Sequence, residues 1–426
     1  MAPSLAYTSA IDARRRQAQF AQLDGLIKRV LETNAFQRAR LSGVSISSPA
    51  DLRALPFTTK EELLADQNVA PPYGSNLTFE ASEYTQVHVT SGTIGTPLSV
   101  PQTAEDWSHT RACFARVLRE AGITAADRVA MPFGFGPYLR YWAAVAGVEE
   151  IGALSLPLGG LEVRERLNAI STYQATAMIC TPSDALRLID LARGWGLERV
   201  FSSVQTLLCQ GEPGASIAAT RERIEDAWGA RVFDHAGSTE VGVFSYPCVS
   251  GGGLHVIEEE FLCEVLDPCT GEEVGAGGQG ELVLTALSRS GFPAIRFRGG
   301  DIVELGGSCP AGHLDAWLPN GIVGRTEDMV VVGGQNVFPS EIEQTLREAG
   351  ALGPYRLRFH GDAVDRDDVR VLVETTDPTL VRRIEDSVLQ RLGVRVRVVA
   401  VMPGVLSAKR HETRRVEAGR PSKGFV

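Results

Sequence analysis

The sequence has no long hydrophobic run and no clustered cysteines. No apolar stretch approaches the roughly 20 residues that span a bilayer. The first residues, MAPSLAYTSAIDARRRQ, lack the apolar core of a signal peptide. The seven cysteines are odd in number and scattered, which argues for free thiols or a metal site rather than a disulfide framework. We therefore expect a cytoplasmic protein that does not associate with membranes.

An excess of positive charge is also lacking. The net charge of −10 gives no reason to expect nucleic-acid binding. The charge is uneven, because residues 328–426 hold 16 Lys/Arg against 14 Asp/Glu while the rest of the chain is acidic. Residues 395–426 carry eight basic and two acidic residues. This segment is either a solvated basic tail or part of a lid that meets a polyphosphate.

The chain is long enough for two or three domains, with 426 residues. Strands alternate with helices of about 10–15 residues up to residue 235, which predicts βαβ units and a mainly parallel sheet. Residues 251–305 predict an antiparallel sheet or small barrel. We predict an α/β fold with a large N-terminal domain, residues 1–324, that binds acid and ATP. A small α+β domain, residues 325–426, follows as a mobile lid.

Individual elements follow from apolar spacing and turn residues. Residues 9–42 are predicted to be helical, and Thr58 or Thr59 is the expected N-cap of a short helix that follows LPF. Residues 134–142, GFGPYLRYW, are predicted as the end of a strand. Further helices are predicted at 106–121, 161–174, 183–195, 339–349 and 379–392, and strands at 87–90, 128–133, 151–160, 176–180, 329–332, 355–360, 369–375 and 394–401.

A glycine-rich loop follows the strand 87–90. Its residues Ser91, Gly92, Thr93, Ile94, Gly95 and Thr96 combine hydroxyls with glycines. Such a loop lets backbone N–H groups and hydroxyls surround phosphate oxygens. No Gly-Lys-Ser/Thr ends it, so it is not a Walker loop. A Ser/Thr/Gly hairpin turn is the plainer alternative.

Four more motifs follow in order: CQGEPG (209–214), DHAGSTE (234–240), RFRGGD (296–301) and GRTEDMVVVGGQNVFPSEIE (324–343). Together with the glycine-rich loop they resemble the adenylate-forming enzymes. TPSDAL (181–186), GLHVIEE (253–259) and VFPSEIE point to the phenylacetate–CoA ligase-like branch. The resemblance covers residues 50–345 and, more weakly, the rest. It implies an enzyme that joins a carboxylic acid to AMP and passes the acyl group to CoA.

The resemblance assigns site residues for ATP, Mg²⁺ and CoA. Glu240 matches the Mg²⁺-binding glutamate, and Thr239 matches a hydroxyl that contacts phosphate and carboxylate. Asp301 matches the ribose-binding aspartate, and Arg325 a nucleotide-facing arginine. Further nucleotide-binding residues are implied at Ser91, Gly92, Thr93, Gly95, Gly211, Glu212, Pro213, Asp234, His235, Ala236, Gly237 and Ser238. The pantetheine of CoA would pass Gly333, Gly334 and Asn336.

Aromatic side chains are the candidate walls of an acid pocket. Phe133, Phe135 and Tyr138, with the turn at Gly159, suit a flat ring. Ala236 and Gly237 would complete the pocket, and Ala236 stands where the family usually has Tyr, which widens it. The alternative is that these aromatic residues simply pack in the core.

Three residues outside these motifs fit a metal site. Members of the resembled branch hold a structural Zn²⁺ with a Cys, a His and a Cys-x-Cys pair. Here Cys248, His255 and Cys309 match, and Ala311 stands at the second cysteine. Structural zinc requires four ligands, so His313 is the candidate fourth. The alternative is a vestigial site without metal.

The two lysines typical of the family are replaced. Thr96 stands where most members have Lys in the glycine-rich loop, and Glu412 falls at the position of the tail lysine. A glutamate there would repel phosphates. Lys409 is the expected substitute, because its long side chain reaches far. The alternative is a solvated tail and slow adenylation.

We therefore predict an AMP-forming aryl-CoA ligase with Glu240, Thr239 and Lys409 as catalytic residues. Its substrate would be an aromatic carboxylic acid similar to benzoate, anthranilate or phenylacetate, and the protein would be a monomer or homodimer. One alternative is an enzyme that loads the acyl group onto a carrier-protein arm or an amine. Adding CoA to preformed acyl-AMP and looking for thioester would distinguish a CoA ligase from such an enzyme. Another alternative is a degenerate, non-catalytic binding protein, which ATP–pyrophosphate exchange would separate from both enzymes.

Overall fold

The computed structural model describes residues 13–90, 97–249, 252–326, 330–332, 335–351, 353, 355–360, 368–406 and 416–418. The chain divides into two compact units. The first comprises Met1–Ser216 and Arg221–Ile322, and the second comprises Ile217–Thr220 and Val323–Val426. Among the described residues, none of the helices combines the length and apolarity needed to cross a bilayer.

The N-terminal region is helical and begins with α1 (Ala13–Thr33), α2 (Ala35–Leu41), α3 (Pro49–Ala54), β1 (Thr58–Thr59) and α4 (Lys60–Val69). The helical prediction for 9–42 is confirmed for Ala13–Leu41, where Asn34 divides the segment into two helices. The Asn34 side chain accepts a hydrogen bond from the N–H of Gln37 at 2.9 Å and so caps α2. The predicted N-cap Thr59 is confirmed, and Glu62 completes a capping box with it.

A hairpin and a long helix come next: β2 (Tyr84–Val89), β3 (Ser99–Thr103) and α5 (Ala104–Glu120), after a 3₁₀ turn at Ala81–Glu83. The two strands are antiparallel, with His88 opposite Val100. The glycine-rich loop at 91–96 lies outside the described residues. Thr103 caps α5 in a capping box with Asp106, which fixes the helix against the end of the hairpin.

The centre of the first unit is a parallel sheet. Its elements are β4 (Arg128–Met131), α6 (Leu139–Glu150), β5 (Leu154–Pro157), α7 (Val163–Thr172), β6 (Ala177–Cys180), α8 (Pro182–Trp195), β7 (Thr206–Gln210), α9 (Ala218–Trp228) and β8 (Arg231–His235), with a 3₁₀ turn at Glu198–Ser202. The strand order is β5-β4-β6-β7-β8, and every neighbouring pair is parallel. The predicted mainly parallel sheet is confirmed.

Both faces of this sheet are buried. Val129, Ile179 and Leu208 lie in one apolar cluster, and their neighbours Ala130 and Met178 lie in another. This alternation is expected when helices cover both faces of a parallel sheet. The predicted strand end at 134–142 is wrong, because α6 begins at Leu139. Its buried residues extend around much of the helix, so it has no clear polar face to signal a helix.

The rest of the first unit is antiparallel: β9 (Ser245–Pro247), β10 (Leu254–Val256), β11 (Phe261–Leu266), β12 (Gln279–Ala286), β13 (Phe297–Glu304) and β14 (Trp317–Leu318). One sheet has the order β1-β13-β12-β11, in which β1 is parallel to β13. The other has the order β14-β10-β9. β15 (Ile322–Arg325) crosses the boundary between the units.

The second unit is a small α+β domain: β16 (Val330–Val332), β17 (Gln335–Val337), α10 (Pro339–Glu348), β18 (Tyr355–His360), β19 (Asp368–Glu374), α11 (Pro378–Leu392), β20 (Arg397–Val401) and β21 (Val416–Ala418). Its four-stranded sheet has the order β20-β19-β18-β21. Ile342, Leu357 and Ile384 are fully buried between the sheet and the helices. The predicted α+β class is confirmed, while the short strands β17 and β21 are not predicted from the sequence.

Candidate active site

The candidate site lies at one edge of the parallel sheet. β4 leads into Phe133–Tyr138, β7 leads into Gly211–Pro213, and β8 leads into Ala236–Glu240. Because the strands are parallel, all these loops leave from the same edge, where α/β proteins bind ligands. The motifs predicted to bind adenine, phosphate and acid therefore meet in the first unit.

The loop after β8 is a tight turn that presents Thr239 and Glu240. The N–H of Ser238 donates to the carbonyl of Gly242 at 3.0 Å, and the N–H of Gly242 returns a 2.8 Å bond. Gly242 has φ +104°, which favours glycine. At the base of the turn, Ser245 Oγ hydrogen-bonds both the N–H and the carbonyl of Ala236 at 2.9 Å.

A buried arginine that sequence reasoning missed supports this turn from below. Arg289 Nη1 donates to the carbonyl of Glu240 at 3.2 Å and to that of Thr239 at 3.5 Å. Burial lowers the pKa of Arg289, while the charges of Asp106 and Glu240 oppose that shift. Among the described residues, Arg289 Nε and Nη2 have no hydrogen-bond partner. The guanidinium therefore fixes the backbone of the turn without forming a close ion pair with a side chain there.

The carboxylate of Glu240 is buried and faces a cation. Only 10% of its side chain is exposed, and its Oε1 lies 3.9 Å from the ammonium nitrogen of Lys60. Mg²⁺ in nucleotide sites is usually held by one or two carboxylates together with phosphate oxygens. Glu240 offers one such carboxylate, so the donor set fits the predicted ion.

The motif RFRGGD lies on β13, beside the helix that carries Lys60. Arg298 Nε donates to Glu281 at 2.8 Å, and the N–H of Gly300 donates to the same carboxylate at 3.2 Å. These bonds fix the strand just before Asp301, the predicted ribose ligand. Since Thr59 pairs with Arg298 and the next residue is Lys60, this motif and the Glu240 turn are close neighbours.

The predicted adenine segment is held by its neighbours. Gly211 has φ +89°, and a Cβ there would lie 3.4 Å from Arg140 Nη1, so the position requires glycine. Glu212 Oε1 accepts the N–H of Ser183 at 2.7 Å. The Glu212 carboxylate thus lies at the N-terminus of α8, where negative charge is favoured.

Asp234 is half-buried and His235 is buried, and both side chains hydrogen-bond to neighbouring protein groups. Asp234 hydrogen-bonds the hydroxyl of Ser216 and accepts the N–H of His235 at 2.9 Å. Burial raises the pKa of Asp234 to about 6. Burial lowers the pKa of His235 to about 4, which leaves its ring neutral, and its Nδ1 lies 3.0 Å from the carbonyl of Ser245. These two residues therefore support the turn that follows them.

The predicted acid-pocket residues form an aromatic cluster with α6. The ring of Phe133 stacks on that of Tyr141 at 4.5 Å and meets the edge of Phe135 at 5.6 Å. Trp142 lies 5.2 Å from Phe135, and Tyr138 lies 6.1 Å from Tyr141. We call Phe133, Phe135, Tyr138, Tyr141 and Trp142 the aromatic cluster. Sequence reasoning missed the last two because α6 was not predicted.

Gly159 lies against this cluster. A Cβ at Gly159 would be 2.7 Å from the carbonyl of Phe133 and 2.5 Å from the ring of Phe135. A side chain at Gly159 would therefore displace the rings. Ala236, the other small residue predicted to line the pocket, is partly buried.

Three candidate zinc ligands come together away from the sheet edge. The ligand atoms of Cys248, His255 and Cys309 all lie within 4.8 Å of one another. The two sulfurs are 3.6 Å apart, close to the roughly 3.8 Å expected for two thiolates on one tetrahedral Zn²⁺ with bonds of about 2.3 Å. His255 Nε2 is buried without a hydrogen-bond partner among the described residues. The donor set therefore fits a metal.

The surroundings of this cluster orient His255. The N–H at its Nδ1 donates to the carbonyl of Asp315 at 3.1 Å, which leaves Nε2 as the free nitrogen. Burial lowers the pKa of His255 to about 4, so the ring is neutral. The ring of His313 lies 4.7 Å from that of His255, but His313 does not belong to the three-residue set. His313 lies beside the three ligands, and its role as the fourth ligand stays a prediction.

Some predicted residues cannot be placed in the site. Arg325 lies in the second unit, as does Asn336 on β17. Ser91, Gly92, Thr93, Gly95, Gly333, Gly334 and Lys409 lie outside the described residues, as do Thr96 and Glu412.

Comparison with known proteins adds relatives along most of the chain. Residues 27–287 match the family model of AMP-binding enzymes, and residues 334–420 match the model of the AMP-binding enzyme C-terminal domain. Phenylacetate–coenzyme A ligase of Pseudomonas putida is 29% identical over 86% of this chain and 83% of its own. The Escherichia coli (strain K12) enzyme of the same name is 29% identical over 82% and 79%. A solved structure of 2-hydroxyisobutyryl-CoA ligase with 2-HIB-AMP is 28% identical, with a TM-score of 0.87 over 96% of this chain and 91% of that one.

Proposed function

The chain belongs to the family of AMP-binding enzymes and is an acid–thiol ligase, and from this premise we propose that its substrate is an aromatic carboxylic acid. The first half-reaction joins the acid to AMP and releases pyrophosphate. The second transfers the acyl group to CoA and releases AMP. The relatives named phenylacetate–coenzyme A ligase favour an aromatic acid.

The aromatic cluster is the observation that carries this proposal. Phe135, Tyr138 and Tyr141 are only partly buried, so their rings retain surface for a ligand. The cluster begins two residues after β4, at the sheet edge from which the Glu240 turn also leaves. Aromatic rings pair with energies of about 0.5–1.5 kcal/mol beyond their area burial. A flat aromatic acid would gain from such contacts.

Roles for this chain's residues are proposed from the motifs that they match. Glu240 holds Mg²⁺, which when bound neutralises phosphate charge. Thr239 donates a hydroxyl hydrogen bond to phosphate or carboxylate oxygens, and Asp301 accepts hydrogen bonds from the ribose. Arg325 and Lys409 contribute from the second unit, residues 325–426, which acts as a lid over the nucleotide. Gly333, Gly334 and Asn336 provide the passage for pantetheine.

The proposal is tested by an ATP–pyrophosphate exchange screen. Benzoate, anthranilate, salicylate and phenylacetate are compared with 2-hydroxyisobutyrate, the acid named by a structural relative. At least one aromatic acid should support exchange more than tenfold faster than 2-hydroxyisobutyrate. Preference for the aliphatic acid would overturn the aromatic assignment. Thioester formed from preformed acyl-AMP and CoA distinguishes a CoA ligase from an enzyme that loads a carrier-protein arm or an amine.

A second comparison tests the aromatic cluster itself. Gly159→Ala places a methyl group against Phe135 and should raise the KM for the aromatic acid at least tenfold, with the KM for ATP unchanged. Gly307→Ala is the control, because Gly307 also lies in a loop of the first unit without positive φ, but a Cβ there meets nothing within 4 Å. An unchanged KM for the acid in Gly159→Ala would show that the cluster does not line the pocket.

A further inference from the structure

Lysine is rare in this chain. Of 42 Lys and Arg residues only four are lysines, at positions 28, 60, 409 and 423. The last two lie outside the described residues, and Lys28 forms an ion pair with Asp24 on the surface of α1. Both family positions for lysine, in the glycine-rich loop and in the tail, carry Thr96 and Glu412 instead. Neither of these two positions therefore supplies a cation for adenylation.

Lys60 is the lysine that the fold brings to the candidate site. Its ammonium nitrogen lies 3.9 Å from Glu240 Oε1, and 36% of its side chain is exposed. A contact ion pair would be about 2.8 Å, so the two groups face each other across a gap. At this separation the ammonium makes no hydrogen bond to the buried carboxylate, so the pair contributes little to folding. Stability alone does not account for an ammonium at this place.

The backbone beneath Lys60 is fixed from both sides. The N–H of Thr58 donates to the carbonyl of Arg296 at 3.0 Å, and its hydroxyl donates to that of Ile295 at 2.8 Å. Thr59 caps α4, and its partner Glu62 is held by Arg40 at 2.8 Å. Lys60 therefore projects from a rigid junction rather than from a loop. Such placement is what a substrate-contacting group requires.

We propose that Lys60 is a further catalytic residue of the adenylation step, whose ammonium binds an oxygen of the α-phosphate beside Glu240. In that step a carboxylate oxygen of the acid attacks the α-phosphorus. The bond from the α-phosphorus to the bridging oxygen breaks, and its electron pair leaves with pyrophosphate. Lys60 transfers no proton. Its positive charge stabilises the negative charge on the phosphate oxygens in the transition state.

Lys60 belongs to the same unit as Glu240, whereas Lys409 belongs to the second unit. The two lysines should therefore affect the two half-reactions differently. Lys60 contacts the phosphate in both half-reactions, because neither requires Lys60 and Glu240 to separate. The predicted contribution of Lys409 is confined to adenylation. A variant of Lys60 should thus slow both exchange and thioester formation, whereas Lys409→Ala should slow exchange far more than thioester formation from preformed acyl-AMP. This inference rests on the ligase activity but not on which acid is used.

The test compares Lys60→Met and Lys60→Arg with Lys28→Met, a control that removes the other described lysine and its 2.6 Å ion pair. The pyrophosphate exchange rate of Lys60→Met should be at least 100-fold below that of wild type, and the rate of Lys60→Arg should be at least tenfold above that of Lys60→Met. The rate of Lys28→Met should stay within twofold of wild type. The acid used in this test is the one that gives the fastest exchange with the wild-type enzyme, so its choice does not depend on the Lys60 variants. Exchange by Lys60→Met within threefold of wild type would overturn the proposal.

A binding measurement separates this role from a structural one. AMP and adenosine are titrated into wild type and Lys60→Met. Loss of the ammonium should weaken AMP binding at least tenfold and leave adenosine within twofold, because only AMP carries the phosphate. Equal weakening of both ligands would show that Lys60 merely supports the fold of the site, and the assignment would be withdrawn.

Discussion

Single residues in this protein have roles that their sequence motifs do not reveal. Glu240 is found by motif, but the guanidinium that holds its backbone, Arg289, lies 49 residues further along the chain. His235 belongs to a motif, yet its ring contacts Phe114 and a backbone carbonyl. A motif indicates where a site is. The hydrogen bonds of each side chain decide which members can meet a ligand.

The first prediction separates Glu240 from Asp301. Glu240→Gln removes the negative charge that binds Mg²⁺ and should lower the exchange rate at least 100-fold with the fold intact. Asp301→Ala removes the acceptor of the ribose hydroxyls and should mainly raise the KM for ATP. Exchange is measured against ATP and Mg²⁺ concentration, with circular dichroism to check folding. An exchange rate near that of wild type in Glu240→Gln would contradict the assignment of Glu240 as the Mg²⁺ ligand.

Arg289 yields the second prediction. Arg289→Met leaves two carbonyls of the turn without a donor and should raise the Mg²⁺ concentration for half-maximal exchange at least threefold. Arg296→Met is the control, since Arg296 is equally buried and donates to the carbonyls of Arg53 and Leu55. Arg296 also pairs with the buried carboxylate of Glu264, so its variant should lose more stability. Both variants should lower the free energy of unfolding. If they change the Mg²⁺ dependence equally, Arg289 has no special role at the site.

At the scale of elements, the sequence predicts strands and helices well where local chemistry decides them. The parallel sheet follows from apolar runs between amphipathic helices, and Thr59 follows from its capping box. α6 escapes prediction because its packing against α5, not its pattern, determines it; Gly147 there meets the ring of Phe114. The break at Asn34 escapes because its amide also binds Asn76, 42 residues away. Likewise, Lys60 is held near Glu240 by the pairing of β1 with β13, two strands far apart in the chain. The local sequence does not encode that pairing.

The third prediction concerns the zinc cluster between β9, β10 and the loop before β14. Protein purified without chelator should contain about one equivalent of zinc, bound by Cys248, His255 and Cys309. Cys309→Ser should lose the metal and lower the melting temperature, with the KM for ATP unchanged. Cys269→Ser is the control, because Cys269 is exposed and lies outside the cluster. Less than a tenth of an equivalent of zinc in wild type would mean a vestigial site.

At the scale of the whole molecule, the two units differ in what the sequence discloses. The motifs of the first unit predict the phosphate and acid sites at one edge of the parallel sheet and the ribose site on β13. The second unit carries Arg325, the strand with Asn336 and the basic tail. Its proposed role as a lid depends on motion between the two units, which the sequence of neither unit discloses. All five tryptophans lie in the first unit, at positions 107, 142, 195, 228 and 317. Tryptophan fluorescence therefore reports on the unfolding of the first unit alone.

Because tryptophan fluorescence follows the first unit alone, it can measure how Asp234 in that unit makes stability depend on pH. The pKa of Asp234 rises through burial from 3.8 to about 6, so between those values the folded state binds a proton that the unfolded state releases. The contribution of Asp234 to stability is therefore fully present below about pH 4 and is lost as the pH rises through 6. Asp234→Asn removes this dependence, so its stability relative to wild type should rise across that window, by at most about 1.4 kcal/mol per pH unit.

Urea unfolding followed by tryptophan fluorescence from pH 4.5 to 7.5 measures this difference. Asp267→Asn is the contrasting control, because hydrogen bonds from the N–H groups of Thr270 and Cys269 lower the pKa of Asp267. Its stabilisation is present above the unfolded pKa and is lost only as the pH falls below it, so the effect of Asp267→Asn should be constant over the measured range. If the difference between wild type and Asp234→Asn is also constant, the Asp234 carboxylate is ionised throughout. Its hydrogen bonds to Ser216 and His235 would then outweigh the effect of burial.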